Sequence, residues 1–135
     1  MTIQEVHNHL KAYGLRPLPQ KVTIMKYLLE SYSHPTIEQI YNDLLPLNPT
    51  LSKTTVYNTL KSFCENKAVN ALYIDEKNVR YEAHIHTHTH FRCKKCGAIH
   101  DAPLEEADIA KFRGSKELHP EETHIYFYGK CVNCE

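Results

Sequence analysis

Two Cys-x-x-Cys pairs, CKKC at 93–96 and CVNC at 131–134, constrain this chain more than any other feature. A two-residue spacer lets both thiolates of a pair turn toward one ion, and two pairs supply the four corners of a tetrahedron. Zn²⁺ favours such a closed sulfur set where its task is structural. One ion held by Cys93, Cys96, Cys131 and Cys134 staples a late strand to the start of the same segment. A domain of about 50 residues needs a staple of this kind. Gly97 and Gly129 flank the pairs, where a tight turn is useful. Disulfides are the competing reading and suit an oxidising compartment. The opening MTIQEVHNHL lacks the apolar core of a signal peptide, so a cytoplasmic location and metal binding are expected. Oxidation of the zinc thiolates as a redox switch stays open. The fifth cysteine, Cys64, reads as a small, partly buried residue.

The chain has two halves, 1–83 and 84–135. The first is helical. Ile3, Val6 and Leu10 share one face of a first helix that Gly14 can end. Val22, Met25, Leu28 and Leu29 mark a second, after Pro17 and Pro19. Ile37, Ile40, Tyr41 and Leu44 mark a third, with Thr36 and Gln39 at capping-box spacing. Ser52 stands where an N-cap belongs, before TTVYNTLKSF, whose stripe Val56, Leu60 and Phe63 turns inward. Ala71–Ile74 and Val79–His84 then read as two strands around a polar turn, Asp75–Asn78. This order is that of a winged helix-turn-helix. The second half is strand-like, with a short helix around Leu104–Phe112 and a strand at HIYFY, 124–128. No stretch of about 18 apolar residues is present, and no membrane span is expected.

The formal net charge is zero, and the halves differ little in charge, so bulk electrostatics gives no reason to expect nucleic-acid binding. The fourth helix gives a local one. Lys53, Tyr57 and Lys61 are spaced four apart and share a face, with Thr54 and Asn58 beside them. Asparagine makes a bidentate bond to adenine, an aromatic packs on a thymine methyl, and lysines meet phosphates. A solvated face with one exposed tyrosine is the plainer alternative. The preceding helix, the short connection and the hairpin that follows favour DNA. Arg16, Lys21 and Lys26 are further phosphate candidates.

His84, His86, His88 and His90 alternate with other residues, and period two in an extended strand puts all four imidazoles on one side. Imidazole suits zinc, iron, manganese and nickel. Glu82 and Asp101 stand nearby, and mixed nitrogen and oxygen ligands suit Fe²⁺, Mn²⁺ or Zn²⁺. A site that also drew in His34 would tie the halves together.

GLRPLPQ, SHPTIEQIY, LSKTTVYNTL, RYE, HTHFRCKKCG and YGKCVNC, in this order and spacing, resemble the ferric uptake regulator family nearly end to end. The resemblance implies an α+β chain: an N-terminal winged helix-turn-helix domain, then a small C-terminal α/β dimerisation domain with a structural zinc site. It implies a homodimeric, metal-dependent repressor of operator DNA that is not an enzyme. The four pair cysteines would hold structural zinc. His34, Glu82, His88, His90 and Asp101 would hold regulatory Fe²⁺ or Mn²⁺. Ser52–Lys61, Thr55 included, would be the recognition segment, with Tyr57 reading bases.

HPTIEQIY, TVYNTL and Asp101 resemble the peroxide-responsive branch, in which iron-catalysed oxidation of a ligand histidine releases DNA; His34 and His88 are the candidates. Glu82 stands where that branch usually has Asp and is the iron-sensor choice, so sensing of Fe²⁺ availability is the alternative. Thr87 and Thr89 replace ligands of a further metal site, although Asp108 and His124 survive from its pattern; His86, His100 and His119 are spare candidates. Of another class is a zinc-dependent hydrolase or deaminase with Glu82 as general base. No H-x-E or H-E-x-x-H arrangement supports it. A zinc adaptor that does not bind DNA leaves the Tyr57 face without a purpose.

Overall fold

The computed structural model describes residues 1–86, 88–112 and 117–135. It divides into two compact units, Met1–Ile85 and His86–Glu135. Helices and small sheets together make the chain α+β.

In the first unit, helix starts follow from capping side chains. Thr2 and Glu5 form a capping box at the start of α1 (Ile3–Ala12), and Pro19 opens α2 (Pro19–Leu29). Thr36 Oγ1 accepts the Gln39 amide at 3.1 Å, while Gln39 Oε1 accepts the Thr36 amide at 2.9 Å, starting α3 (Ile37–Leu44). Ser52 Oγ accepts the Thr55 amide at 3.0 Å and starts α4 (Lys53–Glu65). Helix α1 packs on α2, α2 on α4 and α3 on α4. Leu10, Met25, Leu28, Ile40, Leu60 and Phe63 are fully buried between them. Ile3 differs from expectation: it is the first residue of α1 and is exposed. Leu60→Ala should lower unfolding free energy by about 2–5 kcal/mol, since the site is enclosed on all sides. Urea denaturation with an unshifted midpoint at constant slope would contradict this.

Strands β1 (Asn70–Leu72) and β2 (Arg80–Glu82) pair antiparallel, with Asn70 opposite Glu82 and Leu72 opposite Arg80. Both are shorter than the sequence pattern suggests. Asp75 Oδ1 accepts the Lys77 amide at 2.9 Å, so the turn takes over where the ladder was expected to continue. Ile74 stays buried even so. The other edge of β2 is also used: the Tyr81 amide donates to the Pro35 carbonyl at 3.0 Å.

The second unit is built on β3 (His88–Cys93), the middle strand of a sheet in the order β4-β3-β5. Strand β4 (Ile99–Pro103) runs antiparallel to it. Strand β5 (Tyr126–Gly129) runs parallel to it, after a crossover that contains α5 (Glu106–Phe112). None of the residues of α5 is buried. Thr89, His90, Cys93 and Cys131 are buried, while Phe112, Phe127, Tyr128 and Val132 are exposed. The described part of this unit therefore encloses sulfur and imidazole rather than a hydrocarbon core. Among the described residues no helix is long and apolar enough to cross a membrane.

Candidate metal centres and nucleic-acid interface

The sulfur cluster is assembled by β3, the turn after it, and the segment that follows β5. Cys93, Cys96, Cys131 and Cys134 place their sulfurs within 4.8 Å of one another. The Cys96 and Cys131 sulfurs are 3.8 Å apart. A tetrahedron with Zn–S bonds of about 2.3 Å has an edge of about 3.8 Å, so the set fits zinc. The cysteines are unbridged, which sets disulfides aside. Backbone amides of Cys96 and then Cys131, each 3.4 Å from its sulfur, hold the Cys93 thiol down to about 5. Cys134 is pushed up to about 12, chiefly by its hydrogen bond to Cys131 and by burial. One sulfur is thus ready as a thiolate, and a bound dication would release the protons of the others to solvent.

The two flanking glycines serve different ends. Gly97 has φ +77° and its amide donates to the Cys93 carbonyl at 2.9 Å, a turn that side chains disfavour. Gly129 is not in a turn: it sits in β5 opposite Cys93, and a Cβ there would lie 3.2 Å from the Phe91 ring.

The histidine run does not form one face. Only His88 and His90 lie on β3; His84 belongs to the first unit, where its ring stacks on Tyr32 with centroids 4.3 Å apart at 8°. Ala83 is held in that unit's core, so the chain leaves the hairpin before His86. Thr87 lies outside the described residues.

Two groups of nitrogen and oxygen ligands result. In the first unit His34 Nε2 is 3.4 Å from Glu82 Oε2, with both side chains 5% exposed. Glu82 Oε1 also accepts from Asn70 Nδ2 at 3.4 Å. His34 has φ +54°, a left-handed backbone uncommon outside glycine. In the second unit strand register sets His90 between Asp101 on β4 and Tyr126 on β5. His90 Nε2 is 2.9 Å from His88 Nε2 and 3.5 Å from Asp101 Oδ1, while His88 Nε2 is 3.7 Å from Asp101 Oδ2. The Nδ1 of His88 donates to the His86 carbonyl, which leaves its Nε2 lone pair facing His90 and Asp101. Convergent imidazole nitrogens and a carboxylate fit a divalent first-row metal.

The remaining candidates stand apart. Among the described residues His86, His100, Asp108, His119 and His124 enter no group of three or more ligands. His86 is exposed beside the His88 ring, and His100 lies opposite Phe91 on β4. Asp108 is 3.8 Å from Lys111. His124 sits between the Tyr126 hydroxyl at 3.0 Å and Glu122 at 3.1 Å, two neighbours that sequence reasoning missed. Cys64 is half-buried on α4 against the core.

On α4, Ser52, Lys53, Thr54, Tyr57, Asn58 and Lys61 are exposed and Thr55 is half-buried. Tyr57 is 52% exposed, an amount that suits a partner and not the core. Lys53 lies 5.5 Å over the Tyr41 ring and 3.5 Å from Glu38, so α3 orients it. Arg16 is exposed and Lys21 half-exposed, whereas Lys26 is engaged by Glu30 at 2.6 Å.

The profile of the ferric uptake regulator family matches residues 12–128. The chain is 33% identical to the peroxide-responsive repressor PerR of Staphylococcus epidermidis, over 98% of this chain and 90% of that one. Its fold is similar to that of the Helicobacter pylori ferric uptake regulator, with a TM-score of 0.77 at 20% identity over 99% and 94% of the two chains. The Campylobacter jejuni peroxide stress regulator is also similar, with a TM-score of 0.72 at 23% identity over 99% of each chain.

Proposed function

Because the chain belongs to the ferric uptake regulator family, we propose that it is a homodimeric, metal-dependent repressor of operator DNA that responds to hydrogen peroxide. It acts in the cytoplasm, where DNA and a reducing environment coincide. The observation that carries the reading is the coexistence of a closed four-sulfur cluster and separate buried nitrogen and oxygen ligands in one chain. A closed sulfur site suits permanent zinc, and the nitrogen and oxygen ligands suit exchangeable Fe²⁺ or Mn²⁺.

Residues 1–83 act as the winged helix-turn-helix, with α4 as recognition helix and the β1–β2 hairpin as wing. Tyr57 and Asn58 read bases; Arg16, Lys21, Ser52, Lys53, Thr54, Thr55 and Lys61 position the helix on phosphates and bases. The second unit, His86–Glu135, forms the dimerisation domain. The exposed Phe112, Phe127, Tyr128 and Val132 supply apolar surface for a second copy. Cys93, Cys96, Cys131 and Cys134 hold the structural zinc.

His34 and Glu82 from one unit, with His88, His90 and Asp101 from the other, hold the regulatory metal. Metal binding sets the dimer in its operator-binding form, and two half-sites demand one spacing of the recognition helices. Bound Fe²⁺ supplies the reaction with hydrogen peroxide. His34 and His88 are the candidate side chains for oxidation, and an oxidised imidazole is a poorer ligand. The relatives matched are repressors, which sets the hydrolase aside.

Glu82 favours a second reading, sensing of Fe²⁺ availability, because its longer side chain stands where the peroxide-responsive branch usually has Asp. One experiment separates the two. The iron-loaded protein is exposed to dilute hydrogen peroxide, and the peptides containing His34 and His88 are weighed. Peroxide sensing predicts a gain of one oxygen atom on either peptide with loss of operator binding. No gain, with binding intact, assigns the chain to iron sensing.

A further inference from the structure

The guanidinium of Arg80 spends its donors in two directions. Nη1 donates to the backbone carbonyl of His34 at 3.1 Å. Nε and Nη2 donate to Asp75 Oδ2 at 3.2 and 3.1 Å. The other oxygen of Asp75 accepts the Lys77 amide inside the hairpin turn. The pair is shielded, with the Arg80 and Asp75 side chains 18% and 6% exposed. Beside it the Tyr81 amide holds the Pro35 carbonyl. The carbonyl that Arg80 grips thus belongs to the residue with the left-handed backbone, His34.

A residue in that conformation needs its surroundings to hold it there. The Arg80 fork fixes the peptide plane on which the ring is mounted, because a planar guanidinium oriented by a carboxylate presents its remaining N–H in a set direction. We propose that Arg80 is a positioning residue for His34: it presets the loop that presents this imidazole and joins it, through Asp75, to the turn of the hairpin. The inference rests on the proposed role of His34 as a regulatory ligand. It adds a mechanical link within the first unit, in which the metal-ligand loop and the wing turn share one charged hinge pin. Sequence spacing alone does not reveal it, since residues 34, 75 and 80 meet only through the hairpin register.

The test uses the full-length protein with its zinc retained, titrated with Co²⁺ and followed by its visible absorption. Arg80→Met keeps the stem and removes both sets of hydrogen bonds. It should weaken Co²⁺ uptake about tenfold, the scale on which groups orienting a ligand act. It should also shift the visible bands while zinc per chain is unchanged. Amide hydrogen exchange of the metal-free variant should quicken at 32–36 and not along α4. Arg80→Lys keeps the ion pair with Asp75 but lacks the fork, so it should weaken uptake as Arg80→Met does. If Arg80 only braces the hairpin, Arg80→Lys restores wild-type uptake, and the proposal is overturned. Unchanged uptake in Arg80→Met beside normal wild-type uptake overturns it alone. A wild-type protein that takes up no Co²⁺ overturns the regulatory-site reading, and this inference with it.

Discussion

Cys131→Ser is expected to take zinc per chain from one to none and to unfold the second unit while leaving the first folded. The sulfur of Cys131 is buried and lies 3.8 Å from that of Cys96, and its amide supports Cys93. Serine offers a hydroxyl that does not ionise at neutral pH, so one corner of the tetrahedron is lost. The loss is large because a structural zinc site contributes about 10–16 kcal/mol of apparent binding free energy to small domains. The described part of the second unit has little buried hydrocarbon to set against that. Elemental analysis gives the zinc content. Hydrogen exchange of 88–103 and 126–134 reports the unit, and sizing chromatography reports the dimer. Full zinc content and a protected β3 in the variant would contradict the assignment of the metal to these sulfurs.

His90→Ala is expected to abolish the metal response of operator binding and leave the zinc untouched. Its imidazole is buried, faces His88 and Asp101, and is flanked on β5 by Tyr126. Loss of a buried ligand should lower operator affinity in the presence of Mn²⁺ by about a hundredfold, toward that of chelated protein. Fluorescence anisotropy on operator DNA at one fixed salt concentration measures this, since salt by itself moves such affinities strongly. A variant that still tightens on adding Mn²⁺ would place the responsive metal elsewhere.

What was legible in the sequence was local. Thr36, Gln39 and Ser52 announce helix starts because their partners lie within one turn. Val56, Leu60 and Phe63 announce a buried stripe by spacing alone. The cysteine pairs are readable for the same reason. The histidine run misleads because alternation says nothing about whether a strand continues. Ala83 is anchored in one unit and β3 begins at His88 in the other, so His84 stacks on Tyr32 instead of joining the array. Gly129 misleads because its need is a tertiary one, the Phe91 ring across the sheet. Arg80 and Asp75 were invisible because their meeting with the His34 carbonyl depends on register.

The parallel pairing of β3 with β5 also governs the order in which the protein assembles. The first unit is dominated by helices, whose contacts are close in sequence, and it closes on hydrocarbon. The second unit's sheet waits for a strand delivered by a long crossover, and the four cysteine sulfurs gather only once that strand is in place. Long loops close slowly relative to local contacts. Under zinc shortage the chain should therefore accumulate with its first unit finished and its second unfinished. On the proposed reading such a species has one recognition helix, cannot pair half-sites, and exposes the edge of β3 that β5 would cover. On the proposed reading, zinc supply would then set how much of the newly made chain becomes a sensor, before the regulatory metal plays any part.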